Sequence, residues 1–88
     1  MTSKFQIESV FTITARDKVV ILAKSLDNAT FHLTDNSMLG NVSIEKYADT
    51  PRAHDKDGNP RLDLYAFFLK HKEDKDKFTE GLIVELHN

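Results

Sequence analysis

The chain contains no cysteine, which excludes disulfide bracing and thiolate chemistry together. Prolines number only two, and both fall in one polar stretch, residues 48–61. No segment approaches the roughly 20 consecutive apolar residues that a membrane helix needs, so no membrane partner is expected. The first residues, MTSKFQIESV, carry neither a long apolar run nor a small-residue cleavage site and do not read as a signal peptide. Twelve basic and fourteen acidic side chains leave a net charge near −2, which disfavours a broad nucleic-acid footprint without excluding a local patch. No Gly-x-x-x-x-Gly-Lys-Ser/Thr phosphate loop is present, so a GTPase is excluded on this chain. Nothing supplies a nucleophile with oxyanion donors or a cofactor loop. The expectation is no enzyme and no cofactor.

What is present is β-forming sequence. Residues 5–24, FQIESVFTITARDKVVILAK, place Phe5, Ile7, Val10, Phe11 and Ile13 before a polar turn at residues 15–18. Val19 to Leu22 follow it, and two such runs across a short break predict a β-hairpin. Phe31 and Leu33, set against Thr30, His32 and Thr34, predict a third strand by alternation. Asp35-Asn36-Ser37 predicts a turn, residues 40–47 a fourth strand and residues 62–69 a fifth. The charge run 70–77 has four lysines against three carboxylates and predicts a short helical turn near 71–78. Residues 82–86 close the pattern as a sixth strand. All 88 residues make one domain, 1–88, of all-β class. Strand edges must be hidden, and a small six-stranded antiparallel barrel, closed or nearly closed, does so. At this size folding buries roughly 60–65% of the unfolded surface, so the core is small.

Several strands are apolar on both faces, whereas a small barrel fills its inside with one. Leu64 and Phe68 are expected to line the barrel, with Phe11 buried in the first strand and Phe78 plugging one end. Tyr65 and Phe67 then need cover, from residues 70–80 or from a partner.

The run Ile7-Glu8-Ser9-Val10-Phe11-Thr12-Ile13-Thr14-Ala15-Arg16-Asp17-Lys18-Val19-Val20 resembles the opening of domain 2 of elongation factor Tu and its translational GTPase relatives. In that family an apolar-acid-polar-Val-Phe pattern leads to a Gly-Arg-Gly turn and then Val-Val. Arg16 holds the turn arginine, while Ala15 and Asp17 stand where the family has glycines. The tail 69–86 is similar too, with Phe78 as the apolar plug and Gly81 as the turn glycine. The resemblance implies the domain 2 barrel fold; the expectation for this chain is that the barrel stands alone in a cytoplasmic protein. Fold likeness does not carry function.

Candidate sites divide into three groups. Asp55, Asp57 and Asn59 offer alternating oxygens, but glycine stands fourth after His54 and no glutamate closes a calcium loop; a surface turn is the plainer reading. His32, His54, His71 and His87 share no metal-ligand spacing, so no metal is expected. Arg16 and Lys18 are the candidate RNA contacts. The candidate partner surface is Tyr65, Phe67, His54, Asp55 and Asp57, since the loop 48–61 leads directly into the fifth strand and long loops are often functional. The leading reading is a non-catalytic binding module engaging a protein or a second copy. An RNA-binding accessory factor related to translation is the alternative, and a small inhibitor or immunity-type protein is a third reading.

Overall fold

Residues 3–27, 31–50, 56–59 and 63–87 are described by the computed structural model of the chain. Ser3–Ile13 forms strand β1 and Lys18–Ser25 forms β2, joined by a 3-10 turn at Thr14–Arg16 and by Asp17. Asp17 sits in the left-handed region, φ 51° and ψ 42°. Aspartate is one of the few L-residues that visit it readily. Its amide donates to the Thr14 carbonyl at 3.3 Å, which closes the turn. The remaining strands are β3 (Met38–Leu39), β4 (Val42–Asp49), β5 (Leu64–Leu69) and β6 (Ile83–His87). All pair antiparallel, in the order β1-β2-β5-β4-β3-β6, and β6 returns to β1 to close the barrel. The expected six-stranded closed barrel is therefore the fold. The expected helical turn is a 3-10 helix at Lys72–Lys77.

A β-bulge decides which way β1 faces. Ile7 pairs with Ala23, but the next partner, Leu22, pairs with Ser9, so Glu8 is an inserted residue. One extra residue exchanges the two faces of a strand from that point on. Before the bulge, Phe5 and Ile7 enter the core, at 0% and 1% exposure. After it, Val10 and Thr12 align with Ile21 and Val19, and Phe11 aligns with Val20 on the outside. Phe11 is 46% exposed. The expectation that it is buried fails because simple alternation from Phe5 carries it to the wrong face.

The faces of β5 are also the reverse of those expected. Its pairing with β2 sets Phe67 opposite Ile21, Tyr65 opposite Ala23 and Phe68 opposite Val20. Phe67, Leu69 and the half-buried Tyr65 belong to the interior with Phe5, Ile21 and Ile44. Phe68 and Ala66 pack with Val20 in a second cluster on the outer face. Leu64 and Phe68 therefore do not line the barrel. Both sides of β5 are apolar, so its own alternation carries no direction; the register with β2 supplies it.

Four local features complete the barrel. Residues 31–34 form no strand, yet Phe31 and Leu33 pack on the core while His32 and Thr34 are exposed. The expected alternation is real there, but no ladder accompanies it. The Phe31 ring lies 5.4 Å from Phe5 and 5.0 Å from Tyr65, both edge-on, an arrangement that favours aromatic quadrupoles. The third strand is instead Met38–Leu39, turned into β4 by Gly40-Asn41. Gly40 has φ 64°, as the first loop position of a II′-class hairpin requires. Phe78, expected inside, is 6% exposed and joins the interior cluster. Thr79 to Leu82 then form a turn in which the Leu82 amide donates to the Thr79 carbonyl at 3.1 Å. Gly81 supplies the positive φ, 87°, at its third position. That turn is tied to β1: the Gly81 amide donates to the Ile7 carbonyl and the Ile7 amide to the Leu82 carbonyl, both at 2.8 Å.

Candidate interaction surface

The barrel brings few of the sequence-derived candidates together. Phe67 is fully buried and Tyr65 packs against the core, so these two do not form a partner surface. Their rings, 6.4 Å apart, are held by Phe5 and Phe31 as part of one aromatic cluster. His54 and Asp55 lie outside the described residues. Asp57 is exposed in the turn at residues 56–58, whereas Phe67 lies in the interior. Among the described residues, no three His, Asp or Glu side chains converge as metal ligands would.

The cationic candidates are separated by their partners. Arg16 is exposed at the tip of the β1–β2 hairpin. Lys18, one turn away, places its Nζ 3.6 Å from Glu45 on β4. Lys72 reaches back from the 3-10 helix to Asp17 at 3.0 Å, and Lys77 pairs with Asp74 at 3.0 Å. Carboxylates thus alternate with the lysines around this end of the barrel. The result is a mixed-sign surface, in contrast to the basic stripe that phosphates need.

What the sequence reading missed is an apolar band on the outside. Phe11, Val20 and Phe68 stand in register across β1, β2 and β5, and the Tyr47 ring on β4 lies 5.1 Å from Phe68. Leu22 and Ala66, paired with each other, continue the same face. The centre of the band is closed to solvent, with Val20 and Phe68 at 2% and 3% exposure. Its two margins, Phe11 and Tyr47, are open at 46% and 47%. The signal for this band is the two-sided apolarity of β2 and β5, with Tyr47 at the end of the expected fourth strand. A shallow groove between the β3–β4 hairpin and the last turn is lined by Leu39, Val42, Phe78, Leu82 and Val84, with no acid–base pair in it. Among the described residues, no helix is long and apolar enough to cross a membrane. No protein-family model matches this chain, and neither a curated protein nor a solved structure matches it.

Proposed function

We propose that the chain is a non-catalytic interaction module, a barrel of the translation-factor domain 2 type. Its contact surface is the outer apolar band, and the partner is a protein. The observation that carries this reading is the pair of half-exposed aromatic rings, Phe11 and Tyr47, bounding a dry apolar strip on a strand-built face. Aromatic residues of this kind are enriched at protein interfaces and supply large contact area at low entropic cost. Among the described residues, side chains from every strand fill the interior. The type assignment rests on the sequence likeness at both ends of the chain. It is supported by the closed six-stranded order, by a left-handed residue in the arginine-bearing turn, and by Phe78 and Gly81 in the roles that the likeness implies. The RNA reading finds less support, since Lys18 and Lys72 each face a carboxylate.

The test is partner capture from the native cell by the parent chain and by Tyr47→Ser. Tyr47 is half-exposed, so its removal leaves the core untouched. A protein captured by the parent, retained as salt rises and lost with the folded variant, supports the proposal. Equal capture by both chains refutes the assigned surface. Capture of RNA that weakens steeply with salt, in proportion to phosphates neutralised, refutes the protein-partner reading.

A further inference from the structure

Strand β1 is longer than its neighbour on one side. On the β2 side it is paired to Ile13. On the β6 side the last register partners are Gln6 and Ile83, and Ile7 is then bonded to Gly81 and Leu82. Beyond Ile7, no described residue pairs with that edge. In an antiparallel ladder, successive pairs alternate between bonded and non-bonded. Ile7 turns its amide and carbonyl toward β6, so Ile7–Ala23 is a non-bonded pair within β1–β2. Counting on through the bulge, Ser9, Phe11 and Ile13 bond to β2, while Val10 and Thr12 direct their backbone groups to the open edge.

Among the described residues, the 3-10 helix adjoins this end of β1 through Lys72, Glu73 and Lys75 beside Thr12, but the open stretch has no protection of its own. Edge strands are commonly blunted by lysine, proline or an inward-pointing charge. Residues 9–13, SVFTI, contain none of these, and the bulge lies before the stretch rather than within it.

We infer that this edge pairs with the same edge of a second copy, forming a homodimer through an antiparallel β1–β1 ladder centred on Phe11. Three features select a second copy. First, a two-fold axis at Phe11 sets Val10 opposite Thr12 of the other copy, and the reverse. Both then exchange amide and carbonyl bonds, about four in all. Second, Phe11 meets its counterpart as the non-bonded pair, where side chains approach most closely. Its ring, turned outward by the bulge and 46% exposed, gains an aromatic partner. Third, the open stretch 9–13 carries no charged side chain, so pairing it with its own copy sets no like charges opposite each other. This inference does not rest on the partner-binding reading, because Tyr47 and its end of the band take no part.

The test is sedimentation equilibrium of the full chain, from micromolar to about 1 mM. A monomer–dimer equilibrium is expected. Thr12→Pro removes an amide that faces the open edge and none from the β2 ladder, a position where proline is tolerated. Phe11→Lys sets two like charges face to face. Each is expected to weaken dimerisation at least about tenfold with an unchanged circular dichroism spectrum, while Tyr47→Ser leaves it intact. In the unmodified chain, the Val10 and Thr12 amides are expected to gain hydrogen-exchange protection as concentration rises. That measurement decides the matter should Thr12→Pro fail to fold. A strict monomer over the whole range overturns the inference, as does a dimer indifferent to Thr12→Pro and Phe11→Lys. A dimer lost with Tyr47→Ser alone overturns it in favour of the outer face.

Discussion

Phe11 and Phe67 are the same side chain on strands joined through β2, and the structure gives them opposite fates. Phe67 is fully buried, with the Phe5 and Phe31 rings at 5.0 and 5.9 Å. Truncation to alanine leaves a hole inside a closed ladder whose walls have little freedom to collapse. The expected cost is about 3–5 kcal/mol. Phe11 keeps nearly half of its surface in water. Full burial of such a side chain contributes about 1.5–3 kcal/mol, so Phe11→Ala should cost about 1 kcal/mol. Urea denaturation at low micromolar concentration, where association adds nothing to stability, separates the two. With a slope of about 1 kcal/mol per molar urea for a small domain, Phe11→Ala shifts the midpoint by about 1 M. Phe67→Ala shifts it by about 3–5 M, enough to leave a domain of modest stability largely unfolded in buffer. Equal losses for the two variants would refute the bulge at Glu8 and return Phe11 to the interior.

Phe78→Ala should lower the melting temperature by about 15 °C or more in a circular dichroism melt, from a loss of about 3–5 kcal/mol in a domain of this size. Gly81→Ala should cost about 1–2 kcal/mol in urea, purely from the left-handed backbone, because a Cβ there meets no atom within 4 Å. Asp17→Gly should lie within about 1 kcal/mol of the parent: glycine relieves the left-handed strain, and the exposed Lys72 pair that is lost is worth less than about 1 kcal/mol. Asp17→Val, whose branched side chain resists that conformation, should melt clearly below both.

The sequence made some of this architecture legible and concealed the rest for definite reasons. The first hairpin stood out because two β-branched runs flank a polar turn, and the last strand because a turn glycine precedes it. The faces did not. Glu8 looks like any polar residue in a strand, and only its pairing with β2 reveals it as an insertion. Leu64 to Leu69 is apolar throughout, so inside and outside were chosen by Ile21 and Ala23 across the ladder. The Gly40-Asn41 hairpin was hidden because β3 has only two residues, too few for a period. Phe31 and Leu33 alternate as a strand would, yet they serve as packing without pairing. The same lack of direction governs β5 as a surface: an apolar second face is readable in the sequence, but nothing in its own alternation shows that Tyr65 and Phe67 belong to the inner side.

Closure of the barrel also orders events in time. Ser3 to Gln6 complete their pairing only with Ile83 to Leu86, at the far end of the described chain. The entropy of so large a loop grows only logarithmically with length, so the final state is little affected. The route to it is another matter, since pairing between distant segments slows folding. As the chain leaves the ribosome, the β1–β2 hairpin can form early, and its β6-facing edge must then wait for the last strand to emerge. Throughout that interval the whole of β1, and not merely its far half, stands open to any passing strand.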